Sequence, residues 1–287
     1  MTFPGRSVLC ALAAMLAVVA PAALSFGPRS ATALTPAGEL ASHRAVYELK
    51  LAQSRGNSAV SARGRILYDF SGNACEGYAL QFRQVSELDN GEGKVTLSDL
   101  RSTTWEDAAA KKFIYKSQNY VNQTLIDSVE GEAERQPDKV AVSLLKPADK
   151  KFDLDAITAF PTDHMRRIIA AARAEKSILE LPIYDGSDKG EKVYNTLSVI
   201  GRVIGPNERV PTDAAAAQPA LAGLQRWPVT VSYFDKAAKS DDQSPIYSIK
   251  FQVYENGVSR ALMLDYNDFA ISGELTSIEI RDSKPCR

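Results

Sequence analysis

From residue 43 onward, apolar and polar positions alternate with a period of two. Ala45, Tyr47, Leu49 and Leu51 are interleaved with Val46, Glu48 and Lys50, and Tyr78, Leu80 and Phe82 with Ala79 and Gln81. Val95 and Leu97 flank Thr96 in the same way. Successive side chains of a strand point to opposite faces, so this period marks half-buried strands. Similar runs near 60–70, 112–118, 123–134, 139–145, 178–184, 192–204, 228–235, 246–254, 258–265 and 269–281 bring the expectation to about thirteen strands and a mainly β chain. Asn90-Gly91 and Asn256-Gly257 lie between alternating runs and read as hairpin turns, because Asn and Gly tolerate positive φ. Asp185-Gly186 and Gly72-Asn73 mark further turns.

One segment follows a different period. Met165, Ile168, Ile169 and Ala172 recur at three- and four-residue spacing, which predicts an amphipathic helix over about 162–175 packed on the sheet. Pro161 stops the preceding stretch, and Thr162 or Asp163 is placed to cap the first amides. Arg166, Arg167 and Arg173 fall largely outside the apolar stripe. They read as a solvated face, and as the candidate surface for an anionic partner. Residues 206–225, rich in Ala and Pro, predict a mobile insertion rather than a domain boundary, since β patterning resumes at Trp227.

The N-terminus changes the picture of where this sheet resides. Val8 to Ala23 is almost wholly apolar and follows Arg6. The run is short for a bilayer span of ~20 residues and reads as a secretory signal. The small-x-small rule favours cleavage after Ala33, with Ser25 as the alternative. The expected mature chain is a single domain over 34–287 in the periplasm, with no later transmembrane segment. Removing residues 1–33 takes the net charge from −1 to −3, because two arginines and no acid are lost. That balance argues against a nucleic-acid partner held by a basic surface. Cleavage also removes Cys10 and leaves Cys75 and Cys286. An even pair in an oxidising compartment reads as a disulfide.

Candidate chemistry is sparse. His43 and His164 are the two imidazoles, too few with the scattered acids for a metal cluster, and no cofactor is expected. Either one could serve a Ser/His/Asp triad, or be a histidine satisfied by local hydrogen bonds. Ser143 and Lys146 match a Ser-x-x-Lys spacing, but on a strand they point to opposite faces. Glu106 beside Trp105 reads either as a buried acid with a raised pKa or as a surface acid next to a core Trp.

Several short motifs recur in a recognisable order. They are Ser42-His43-Arg44-Ala45 with Tyr47 and Leu49, Gly77-Tyr78 after Cys75, and Arg101 to Glu106. Phe160-Pro161-Thr162 with His164, Tyr184 to Ser187, and Lys192-Val193-Tyr194 follow. Val231 to Phe234, Tyr254 to Arg260, Leu264-Asp265-Tyr266 and the terminal Cys286 complete the series. Together they resemble the EipB family of periplasmic cell-envelope integrity proteins of alphaproteobacteria, over about 40–287. The resemblance implies a β-spiral, an open barrel-like antiparallel sheet of about fourteen strands with one helix lodged against it. It implies that Cys75 and Cys286 match the family's disulfide. The family's fold is similar to the half-barrels of periplasmic lipoprotein carriers, an analogy of fold and not of chemistry.

The expected function is a non-enzymatic support of the envelope, through an envelope lipid, lipoprotein or periplasmic protein bound on the sheet. The competing readings are an envelope hydrolase using His43 or His164, and a structural protein of the outer surface.

Overall fold

The alternating runs pair into one antiparallel sheet of fourteen strands in the computed structural model. The structure describes residues 39–55, 59–209, 211–236 and 244–282. The expected signal peptide, both cleavage sites, Cys10 and Cys286 lie outside these residues. The first eight strands are β1 (His43–Ser54), β2 (Ser61–Asn73), β3 (Gly77–Asp89), β4 (Val95–Glu106), β5 (Lys112–Val121), β6 (Thr124–Arg135), β7 (Lys139–Lys146) and β8 (Lys150–Asp155). The helix α1 (Pro161–Arg173) follows. Then come β9 (Ile178–Ile183), β10 (Tyr194–Ile200), β11 (Arg226–Asp235), β12 (Tyr247–Tyr254), β13 (Ser259–Asp265) and β14 (Phe269–Ile280).

The first eight strands meander outward from β1, and the last six meander back until β14 pairs with β1. The sheet edges are therefore β8 and β9, and the sheet is open. The link before α1 meets the β9 edge, through Ala159 N–H to the Pro182 carbonyl at 2.8 Å and Tyr184 N–H to the Ala159 carbonyl at 3.0 Å. β8 is the strand missing from the expected thirteen. Lys150-Lys151-Phe152-Asp153-Leu154-Asp155 has two apolar residues among four charges. Charge on an edge strand hinders pairing with another chain, and it also hides the strand's period.

Cross-strand partners carry one face unbroken through the sheet. Tyr47 lies opposite Ile66 and Leu275, Tyr68 opposite Phe82, Phe113 opposite Ala133, and Val142 opposite Phe152. This face curves inward. Ile168, Ile169 and Ala172 of α1 pack with Phe70 and Tyr78 from one wall and with Trp227, Val229 and Val253 from another. Those walls are separated by β1, β13 and β14 in the sheet order, so the helix lies inside the curve. Its N-terminus meets the end of β4 and its C-terminus meets the β12–β13 turn. Both belong to the same end of the strands, and α1 therefore lies across that end. Among the described residues no α-helix crosses the far end, where β1–β2, β3–β4, β5–β6 and β11–β12 turn.

Two expectations are corrected. The cap of α1 is neither Thr162 nor Asp163. Phe160 occupies the capping position without a side-chain bond, Pro161 begins the helix, and a carboxylate from β4 serves the amides instead. The Ala/Pro-rich stretch is packed rather than loose. Ala215, Ala216 and Leu221 are buried in one cluster with Tyr47, Tyr254 and Leu275. Asp213, 4% exposed, forms an ion pair with Arg260 of β13, which is 7% exposed. Small methyls let this segment lie close to the sheet, and the buried pair anchors it.

Candidate functional site

Both histidines are core residues. His43 is 2% exposed, stacks on Tyr68 with ring centroids 5.5 Å apart, and its Nδ1 lies 2.7 Å from the Ala41 carbonyl. Burial lowers its pKa. His164 is 4% exposed, and burial lowers its pKa to about 4. Its Nε2 lies 3.3 Å from Thr196 Oγ1 and 3.5 Å from Ser198 Oγ. Thr196 donates its proton to the Leu181 carbonyl at 2.7 Å. Thr196 must therefore accept from His164, which assigns the proton to Nε2. A protonated Nε2 cannot act as base toward either hydroxyl. Thr196 and Ser198 are themselves buried. The cluster holds α1 to β10.

Glu106 is the residue whose role was only half legible. It is 2% exposed, while Trp105 is half-buried. Its Oε2 accepts the Thr162 amide and its Oε1 the Asp163 amide, each at 2.8 Å. Burial pushes its pKa up to about 7, against the pull of these two amides and of Arg166.

Each of the three arginines has its own partner. Arg166 donates to the Ala108 carbonyl at 2.7 Å and lies over the Tyr78 ring at 5.2 Å. Arg167 pairs with Asp163 one turn back at 2.8 Å. Arg173 donates to the Glu255 carbonyl at 3.2 Å, with the Glu255 carboxylate at 3.8 Å. Cys75 sits in the β2–β3 turn, where Asn73 Oδ1 accepts its amide at 2.9 Å.

A cleft of about 380 Å³ opens at the seam of the sheet, between β8 and the ends of β10 and β11. Its carboxylates are already matched by lysines: Asp153 by Lys139, Asp155 by Lys236, Glu191 by Lys150 and Asp235 by Lys192. Such a charge-balanced seam has little to offer a ligand.

The inward face toward the far end is different. Tyr194, Tyr233, Tyr247, Tyr266 and Phe269 form a continuous row of rings across β10 to β14, each 5.2–6.0 Å from the next. All five are half-buried. Burial nevertheless raises the phenol pKa of Tyr233 and Tyr247, with the Asp185 carboxylate adding to the shift. Half-buried on the inward face of a curved sheet, these rings form a concave aromatic surface, the wall of a candidate lumen. The hydroxyls of Tyr233 and Tyr247 have no hydrogen-bond partner among the described residues.

The inward face of β4 and β5 is polar toward the same end of the strands. Phe113 and Tyr115 of β5 point inward, so Ser117 and Asn119 do too, and Ser102 of β4 pairs directly with Ser117. Asn119 Oδ1 is buried without a partner. Tyr266, just after β13, comes beside Gln84 of β3 on one side. On the other side Asp185 follows Tyr184, whose hydroxyl meets that of Tyr115 at 2.5 Å. The Asp185 carboxylate accepts the Ser187 amide at 2.9 Å, and burial raises its pKa. Sequence reading missed this lumen. The tyrosines were visible as strand residues, but their meeting depends on a register that spans five strands.

Among the described residues no helix is long and apolar enough to cross a membrane, and no group of three or more His, Cys, Asp or Glu side chains could hold a metal ion. Comparison with known proteins gives a consistent result. Residues 34–282 match the family model described as EipB-like. The chain is 36% identical over 258 residues to the cell envelope integrity protein EipB of Brucella abortus (strain 2308), covering 90% of each protein. The crystal structure of a beta-barrel-like protein of a domain of unknown function, also from Brucella abortus, superposes with a TM-score of 0.79. It is 35% identical to this chain, and the match covers 85% of this chain and 99% of that one.

Proposed function

The chain belongs to the EipB-like family, and from that premise we propose that it supports the integrity of the cell envelope by holding an amphiphilic envelope molecule inside its curved sheet. The molecule is a lipid or the lipidated end of an envelope protein. The lumen carries this reading. On this reading the aromatic row of β10 to β14 and the polar inward face of β4 and β5 are the two walls, at the end of the sheet that α1 leaves uncrossed. A space of that kind suits a ligand with an apolar body and a polar end. The periplasm is the proposed compartment, reached through the signal peptide, and the mature chain begins at Leu34. The same reading pairs Cys75 with Cys286. Arg281 supports this pairing: its amide donates to the Ser42 carbonyl at 2.8 Å and its guanidinium meets Asp69 of β2 at 2.8 Å. The chain thus leaves β14 beside the strand that leads into the Cys75 turn. No catalytic step is assigned to His43 or His164, because both rings are occupied with holding the core.

Native mass spectrometry of protein purified from the periplasm without detergent tests the reading. The expected spectrum shows the mature chain starting at Leu34 together with a bound amphiphile. A ligand-free chain that also takes up no fluorescent fatty-acid probe would count against the lumen as a binding space.

A further inference from the structure

We propose that the far end of the lumen is a saccharide subsite, so that the polar end of the bound amphiphile is a sugar. This rests on the lumen being the binding space. The aromatic wall offers Tyr233 and Tyr247 as adjacent ring faces, 5.2 Å between centroids, and flat apolar faces of this kind suit the C–H faces of a pyranose ring. Among the described residues their two hydroxyls have no hydrogen-bond partner, and each can both donate and accept. On the facing wall, Ser102 and Ser117 are cross-strand partners with hydroxyls of the same dual capacity. Asn119 Oδ1, buried and unpaired, needs a donor. Asp185 accepts the Ser187 amide, and a carboxylate has further lone pairs available.

A hydrocarbon chain would leave Asn119 Oδ1 unsatisfied, and buried polar groups without partners are unfavourable. A phosphate would face the Asp185 carboxylate, and the nearby Lys192 is already paired with Asp188 and Asp235. A polyhydroxylated ring supplies donors to Asn119 and Asp185, acceptors to the tyrosines and serines, and an apolar face to the rings. The match is in the mixture of groups.

Isothermal titration below the critical micelle concentration separates the possibilities, using three amphiphiles with the same octyl chain. The probes are octyl maltoside, tetraethylene glycol monooctyl ether and octyltrimethylammonium. The maltoside should bind at least about tenfold tighter than the other two, the yield of one or two net hydrogen bonds. Asn119→Leu should abolish that advantage while leaving the ether's affinity unchanged. Should Asn119→Leu fail to fold, the pair Ser102→Ala and Ser117→Ala removes two hydroxyls at little change in volume and should also shrink the advantage. Equal binding of maltoside and ether would overturn the saccharide subsite and leave the lumen reading standing. Preference for the ammonium probe would overturn it in favour of a cationic ligand. No binding by any probe would overturn both.

Discussion

Glu106 and His164 are buried ionisable groups on the same helix contact, and their pKa values move in opposite directions. Folded Glu106 keeps its proton up to about pH 7, whereas an unfolded glutamate releases it near 4.5. The folded state binds more protons in that window, so this residue's contribution to stability falls as pH rises through it. His164 is held at about 4, against an ordinary 6.5. There the unfolded state binds more protons, and stability falls as pH drops from 6.5 toward 4. Glu106→Gln should therefore give a stability that climbs more steeply than wild type from pH 4.5 to 6.5. It should then stay level toward neutrality, where the wild type declines; urea melts across this range measure both limbs. The arginines make a second comparison. Arg173→Ala removes an exposed pair and should change stability by no more than about 0.5 kcal/mol. Arg166→Ala removes a carbonyl bond and the contact with Tyr78, and should cost about 1–2 kcal/mol by the same melts. Both arginines looked alike on the helical pattern, because a wheel shows which face a residue occupies and not what lies above that face.

At the scale of elements, the strands and the helix were legible from periodicity because period reflects which face each residue buries. β8 escaped because an edge strand keeps its charges on both faces. The 206–225 stretch was misread for a related reason: Pro and Ala carry a loop's composition, while burial of Ala215, Ala216 and Leu221 comes from the surface they meet. Asp213 and Arg260 test the anchoring of this segment. Arg260→Met strands a buried carboxylate and should destabilise by about 3–5 kcal/mol. Adding Asp213→Leu should recover most of that loss, since two apolar groups replace a desolvated pair. A double variant as unstable as Arg260→Met alone, in the same denaturation assay, would mean that packing rather than charge holds the segment.

For the whole molecule, the decisive contacts join distant parts of the chain. The proposed clasp between Cys75 and Cys286 closes nearly all of the sheet into one covalent loop. Cys75→Ser, Cys286→Ser and the double variant should be destabilised equally, by roughly 2–5 kcal/mol, because either single change already removes the bond. Thermal melts and thiol labelling check this, and two free thiols in the wild type would rule the clasp out. The proposed lumen has the same character, since it requires the sheet to curve far enough for β4 and β5 to face β11 and β12.

The sequence by itself determined the β class, the helix near 162–175, the hairpin turns at Asn90-Gly91 and Asn256-Gly257, and the resemblance to a family. These follow from residues that are neighbours in the chain, where alternation and turn chemistry act directly. Tertiary structure alone decided that Glu106 binds the amides of Thr162 and Asp163 more than fifty residues later, that Arg166 is tucked against Tyr78, and that five aromatic rings from β10 to β14 meet in one row. Each of those depends on strand register and sheet curvature, which set distances between residues far apart in sequence and leave no periodic trace in it.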